Sequence, residues 1–516
     1  MELRPYQVEA VERIVERRNL LLAMTMGSGK TATSIAGIRR LRRLRVVDHG
    51  LVFTLKSCKW QWVREINRWD PHAKVQVVDG TKAQRVRALR AAHLHHYTIA
   101  HYECLNNDWE TIKEYAPLDF LCFDEITQLK SFAAKRTKRA KALAKHSNVR
   151  LGLSGQPVEN RPEELFSIME AIDPEVLGGF HKFDRTFIDR DRWGKPRRYR
   201  NLPLIQQSLG TAMFRRSRED IKEWLPDMIE TEMPVPLDAV TMRLHERIKR
   251  DLSDAVDKAL ANGATGGFDV LAHYGRAPHG QTITLMGEVM SRMLAMRMLS
   301  SHPRLLSISA TEFDSELSRR GSQYASDLKA AGALTNLPKT HVKLDALIEL
   351  VVEILDEDPR HKIVVFSYFK PMLHMIGLEL KRLKIPHTTI TGDIAGMERD
   401  RRIQRFNNDP ACKIFLSSDA GAYGVDLNQG SHLIHYDLCW SAGALGQRTA
   451  RIDRTNSAFD QIHITYLYGA RTIEERMLRM LQQKAKVARA FIDGEYDGKT
   501  GGISLDLQSL REFLDS

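Results

Sequence analysis

The feature that most constrains this chain is the apolar run Leu20-Leu21-Leu22-Ala23, which breaks directly into Met24-Thr25-Met26-Gly27-Ser28-Gly29-Lys30-Thr31. A short buried strand, a glycine-rich turn and a helical pattern in immediate succession fit a parallel α/β sheet. Gly27 and Gly29 allow the backbone to curl, so that amide N–H groups converge on phosphate oxygens. Lys30 adds a point charge for the outer phosphates, and Thr31 a hydroxyl for magnesium. A helix beginning at Thr31 aims its positive end at the same anion.

A nucleotide-hydrolysing site needs a second part, carboxylates at the end of another buried strand. Phe120-Leu121-Cys122-Phe123 ending in Asp124-Glu125 supplies it. Asp124 is placed to hold the metal through water, and Glu125 to orient the attacking water as general base. An isolated Asp-Glu pair is more often a solvated strand end; its position after a second buried strand favours the catalytic role.

A chain of 516 residues exceeds one core, so two or three domains are expected. No run approaches the about 18 apolar residues of a membrane span. The best candidate, Leu347 to Leu355, is interrupted by Glu349 and Glu353. The start, Met1 to Gln7, lacks the pattern of a secretion signal, so a cytoplasmic location is expected. The 5 cysteines form no paired spacing and imply neither a disulfide frame nor a zinc site. A metal reading of His93, His95, His96 and His101 is disfavoured, because no cysteine or carboxylate stands at ligand spacing.

The net charge of +12 suggests a polyanionic partner, most simply nucleic acid. Arg39, Arg40, Arg42, Arg43 and Arg45 lie on a helix whose buried stripe is Ile35, Ile38, Leu41 and Leu44. Lys135, Arg136, Lys138, Arg139, Lys141 and Lys145 follow the Asp124-Glu125 strand. Either cluster is as well explained by a solvated helix face as by phosphate binding. Arg190, Arg192, Lys195, Arg197, Arg198 and Arg200, with Trp193 and Tyr199 interleaved, read as an exposed loop able to grip a backbone.

After about residue 340 the strand-and-helix alternation returns. Strands are expected at 362–366, 413–416, 433–436 and 462–467, without a second phosphate loop. The stretch from Leu237 to Leu334 reads mostly as helix, broken at 262–267. The expected organisation is an N-terminal domain over 1–236, a helical insert and linker over 237–335, a C-terminal domain over 336–490, and a tail over 491–516.

Together these strings resemble superfamily-two helicases, and within them the Swi/Snf-type DNA translocases, over essentially the whole chain. Leu3 to Gln7 is similar to the adenine-recognition motif, with Gln7 on the base. Leu51 to Ser57 with Trp60 and Trp69 resembles motif Ia, where Lys56 and Ser57 would face a phosphate. Asp124 to Ser131 resembles the DEAH box, Ser154 to Asn160 motif III, and Arg215 to Asp220 the basic element that follows. Val365-Phe366-Ser367 resembles motif IV, Thr391-Gly392-Asp393 the loop after it, and Ser417 to Leu427 motif V. Gln447 to Arg454 resembles motif VI, and Thr472 to Arg476 the closing helix.

The resemblance implies two tandem RecA-like parallel-sheet domains with a helical insert between them, of compact bacterial or bacteriophage type. It implies ATP and magnesium as cofactors, with Gln7, Gly27, Ser28, Gly29, Lys30, Thr31 and Gln447 on the nucleotide and Thr31 and Asp124 on the metal. Lys30, Glu125, Arg451 and Arg454 would be catalytic; the two arginines, three apart, project the same way on a helix or tight turn and act as fingers on the transferred phosphoryl group. Lys56, Ser57, Tyr102, Ser367, Gly392, Ser417 and Trp440 would contact DNA.

The expected function is a monomeric DNA-dependent ATPase that moves along double-stranded DNA largely without regard to sequence. A strand-separating helicase would share every motif, and a DNA-binding scaffold with weak ATPase is the remaining alternative. Thr127 stands where the DEAH string has histidine, Gln156 where motif III has threonine, and Leu55 where motif Ia has proline, so coupling between ATP state and DNA grip is expected to be altered.

Overall fold

The computed structural model describes residues 2–158, 162–190, 196–262, 282–315, 321–394, 396–422, 424–493 and 507–515. In chain order the strands are β1 Asn19–Met24, β2 Gly50–Thr54, β3 Val75–Val77, β4 Tyr97–His101, β5 Phe120–Asp124 and β6 Val149–Leu153. They continue with β7 Ile188–Arg190, β8 Pro196–Tyr199, β9 Met213–Arg216, β10 Asp227–Pro236 and β11 Ile363–Phe366. The last are β12 His387–Ile390, β13 Ile414–Ser417, β14 His432–His435 and β15 Gln461–Ala470.

Two sheets result. The first has the order β3-β4-β2-β5-β6-β1-β9 and the second β10-β15-β14-β11-β13-β12. Every pairing in both is parallel. The apolar strands expected from the sequence fit here because helices cover both faces, so successive residues are all buried. In β1, Leu20, Leu22 and Met24 enter one core while Leu21 and Ala23 enter the core on the opposite face. Val364 and Phe366 of β11 likewise divide from Ile363 and Val365.

The expected domain boundaries shift. The first sheet ends at Arg216, and β10, placed in the N-terminal domain from sequence, pairs with β15 from Asp227↔Gln461 to Pro236↔Ala470. The interval expected to be a separate insert forms helices Ala239–Ala261, Thr282–Ser301, Arg304–Asp314 and Gln323–Ala330. Leu244, Ile248, Met293 and Leu299 from these helices share one core with Val364, Phe366 and Ile464, so the insert covers a face of the second sheet. The expected tail ends in helix Leu507–Asp515, whose Leu510 and Leu514 join that core and whose Arg511 pairs with Asp257 at 3.0 Å. Residues 263–267 of the expected helix break lie outside the described residues.

Leu44 is 57% exposed, contrary to expectation, because helix Lys30–Arg43 ends one residue earlier and its stripe stops with Leu41. The basic loop also changes character. Arg190 is bound to Asp184 through both Nε and Nη2, and Tyr199 is buried with its hydroxyl donating to Glu163 at 3.1 Å. These groups brace the β7–β8 hairpin; Arg192, Trp193 and Lys195 lie outside the described residues.

Candidate functional site

The phosphate loop leaves the carboxyl end of β1, and Asp124-Glu125 that of β5, with β6 between them. Gly27 and Gly29 have φ of +77° and +80°, the left-handed region in which glycine is least strained. Space is also denied to a side chain at both. A Cβ on Gly29 would stand 2.3 Å from Nε2 of Gln7, and one on Gly27 2.3 Å from the carbonyl oxygen of Asp453.

Gln7 is buried, donating to the Ser28 carbonyl at 2.9 Å and accepting from the Arg4 amide at 2.9 Å. Tyr6 donates to the same Ser28 carbonyl at 2.9 Å, and the Ser28 hydroxyl closes the turn on the Thr25 carbonyl at 2.6 Å. The adenine-motif residues thus shape the loop directly. A primary amide has two donor hydrogens and two acceptor lone pairs, so one of each on Gln7 is still available for a base edge.

Lys30 opens helix Lys30–Arg43, and its Nζ donates to the carbonyls of Met24 and Thr25 at 3.0 and 3.1 Å. Burial pushes its pKa down to about 8, against the opposing pull of Glu125 and then Asp124. Asp124 is fixed through Oδ2 by Thr54 Oγ1 at 2.7 Å and Trp62 Nε1 at 2.9 Å. Glu125 adopts φ 49° and ψ 56°, a left-handed conformation uncommon outside glycine and concentrated at functional sites.

The second sheet contributes the facing wall. Arg451 and Arg454 follow helix Ala442–Thr449 in a turn, and both donate to the Val425 carbonyl, at 3.2 and 3.3 Å. Burial, and next the neighbouring Arg454, push Arg451 down to about 10. The Cδ of Arg454 lies 3.3 Å from the Cβ position of Gly27, and Thr455 Oγ1 donates to the Gly27 carbonyl at 3.3 Å. Gln447 lies half-buried one turn before, its carbonyl accepting from Arg451 Nε at 2.9 Å.

This donor set fits a magnesium nucleotide. Two positive-φ glycines and a helix N-terminus suit phosphate oxygens. The buried Nε of Arg454 makes no hydrogen bond among the described residues, its nearest carboxylate being Asp426 at 3.7 Å. Among those residues no group of three or more His, Cys, Asp or Glu could hold a metal. One carboxylate and one hydroxyl, Asp124 and Thr31, suit magnesium, which keeps most of its waters.

The expected DNA contacts divide. Lys56 and Gly392 are exposed and Ser57 is half-buried. Tyr102, Ser367, Ser417 and Trp440 are buried. Tyr102 donates to the Asp124 carbonyl at 2.8 Å and supports the catalytic strand end from beneath. Ser367 donates to Asp437 at 2.5 Å, Ser417 to the Ser418 carbonyl at 3.0 Å, and Trp440 packs 6.4 Å from Phe513. Of the departures, Thr127 is buried, and the Gln156 amide donates to Ser154 Oγ at 3.1 Å. Gly424, within the motif V string, packs on Cys58 and Gln61, bringing that loop against motif Ia.

Sequence reasoning missed Thr54 and Trp62, which orient Asp124, and Arg4, Asp453 and Thr455, which join the lobes. Arg4 Nη2 donates to the Thr455 carbonyl at 2.6 Å. Arg4, Thr54 and Asp453 lie inside the named motif strings without having been singled out, and Trp62 and Thr455 lie just outside them.

Fold and site together define a two-lobed, helicase-like phosphate-loop ATPase. The sequence matches the SNF2-related domain over residues 6–299 and the helicase conserved C-terminal domain over residues 342–456, and the chain belongs to the SNF2 family. Similar proteins include the CHD3-type chromatin-remodeling factor PICKLE of Arabidopsis thaliana, 25% identical over 93% of this chain and 34% of that protein. The putative ATP-dependent helicase/translocase YwqA of Bacillus subtilis (strain 168) is 25% identical over 96% of this chain and 49% of its own length. The human DNA repair and recombination protein RAD54B is 25% identical over 95% of this chain and 55% of its own length. The chain therefore spans only part, 34% to 55%, of these relatives. A Sulfolobus solfataricus SWI2/SNF2 ATPase core in complex with dsDNA aligns with 24% identity and a TM-score of 0.42, covering 99% of this chain and 97% of that one. No helix among the described residues is long and apolar enough to cross a membrane.

Proposed function

We propose that this protein is a DNA-dependent ATPase that steps along duplex DNA without obligatory strand separation. The observation that carries the reading is the approach of Arg454 and Thr455 of the second lobe to Gly27 of the first. A phosphate loop facing arginines from another lobe ties hydrolysis to lobe closure, and a motor needs that link. Magnesium ATP, when bound, supplies the phosphoanhydride whose hydrolysis drives the cycle.

The chain's own groups divide the work. The amides around Gly27 and Gly29 and the Lys30 ammonium would bind phosphate oxygens, while Asp124, steadied by Thr54 and Trp62, and Thr31 would hold the metal. Glu125 takes the proton of the attacking water. Arg451 and Arg454 lie against developing negative charge when the lobes close. Exposed Lys56 and the loop at Gly392 offer one grip on each lobe for a phosphate backbone. The net charge of +12 and the similarity to the human DNA repair and recombination protein RAD54B support that track.

The test is the ATPase rate with duplex, single-stranded and no DNA, with Glu125→Gln as control. Strong stimulation by duplex is expected, and equal rates in all three conditions would sink the motor reading. Displacement of a triplex-forming strand without duplex unwinding separates a translocase from a strand-separating helicase.

A further inference from the structure

Residues 217–226 connect β9, the last strand of the first sheet, to β10, the first of the second. The segment is anchored on the first lobe. Ile221 is fully buried in the core shared by Tyr6, Ile14 and Ile35, and Trp224 packs against Tyr6 at 5.1 Å. Tyr6 in turn holds Ser28 of the phosphate loop.

Arg218 reaches out of this anchored segment to the other lobe. Its Nε and Nη2 donate to Oδ2 and Oδ1 of Asp453 at 3.0 and 3.2 Å, and Nη2 also donates to the Pro226 carbonyl at 2.5 Å. Asp453 is buried, and its own carbonyl is the atom that crowds the Cβ position of Gly27. Arg454 is the next residue. A planar guanidinium on a carboxylate fixes orientation as well as distance, which a lysine cannot reproduce.

We infer that Arg218 is the positioning residue that sets Arg454 over the phosphate loop, clamping the interlobe connector to Asp453 so that finger placement follows hinge angle. Arg218 touches neither nucleotide nor DNA in this scheme. It acts through Asp453, and the inference rests on the ATPase reading above. Losing the clamp should therefore lower turnover while leaving nucleotide binding intact, the signature of an interaction used only in the transition state.

The experiment compares the full chain with Arg218→Ala, Arg218→Lys, Asp453→Asn and the reversed pair Arg218→Asp with Asp453→Arg. Each is assayed for kcat and KM with duplex DNA and for interlobe distance by energy transfer with ATPγS. The expected result is a roughly tenfold fall in kcat for Arg218→Ala, Arg218→Lys and Asp453→Asn, with KM within about twofold and recovery to within about threefold in the reversed pair. The distance distribution on ATPγS should broaden in the single variants and narrow again in the reversed pair. An unchanged kcat in Arg218→Ala, or an unchanged distance distribution, overturns the inference. A wild-type rate equal to that of Lys30→Ala is a failure of the ATPase reading instead, and the energy-transfer distances then decide the clamp alone. Should Arg218→Ala fail to fold, Arg218→Lys and the reversed pair carry the same comparison.

Discussion

The carbonyl oxygen of Asp453 occupies the space a side chain on Gly27 would need, 2.3 Å from its Cβ position, although the two residues belong to different lobes. The tip of the phosphate loop is thus part of the surface on which the second lobe closes. Gly27→Ala is expected to lower kcat about a hundredfold by holding Arg454 off its station by an ångström or more, an effect separate from the strain at φ +77°. Steady-state kinetics beside a fluorescent-nucleotide titration check this. Loss of nucleotide affinity with kcat intact would assign Gly27 to phosphate contact alone.

Lys30 titrates near 8 rather than 10.5 because burial disfavours its charge. The unfolded chain therefore holds more protons than the folded one between those values, so this group makes stability rise with pH across that window. Below pH 8 its full penalty, about 3 kcal/mol, is present. Lys30→Met should abolish hydrolysis yet raise the urea midpoint at pH 7, and the gain should shrink by pH 10. Phosphates beside Lys30 restore its charge, so nucleotide binding at pH 8 should take up protons. Calorimetry in buffers of different ionisation enthalpy measures that uptake.

Lys56 and Tyr102 should separate cleanly. Lys56→Ala is expected to weaken duplex binding and reduce the log–log salt slope by about one. Tyr102→Phe removes the hydroxyl that holds the Asp124 carbonyl, lowering stability by about 1 kcal/mol and slowing turnover with DNA affinity unchanged. Salt-dependent binding isotherms for both variants provide the comparison, and weakened DNA binding in Tyr102→Phe would make Tyr102 a DNA contact instead.

Lys343 and Glu474 form a fully buried ion pair, Nζ lying 2.8 and 2.6 Å from the two carboxylate oxygens, with Nζ also 4.9 Å from the Tyr436 ring centroid. Lys343→Met leaves a buried carboxylate without its cation and should cost about 3–5 kcal/mol. Adding Glu474→Leu should recover most of that loss, because replacing both charges removes the uncompensated one. Denaturant midpoints of the two variants decide it.

The strands and loops that carry chemistry were legible because their signals are local. Leu20 to Ala23 needs only a hydrophobic window, and Gly27-Ser28-Gly29-Lys30-Thr31 only a turn that its own glycines permit. The same holds for Phe120 to Glu125. Leu44 was misjudged because periodicity does not mark where a helix stops, and the bond from Tyr102 to the Asp124 carbonyl was not legible because a tyrosine near motifs reads alike whether it faces a ligand or props the strand beneath it.

By itself the sequence determined the two parallel sheets, the phosphate loop, the carboxylate pair and the arginine pair, each written in neighbouring residues whose side chains and backbone limits act over one turn or one strand. Tertiary structure alone decided that β10 crosses to pair with β15, that the insert and the end of the tail complete the second core, and that Arg218 grips Asp453. Those choices join residues hundreds of positions apart, where shape and buried charge, rather than local pattern, select the partner.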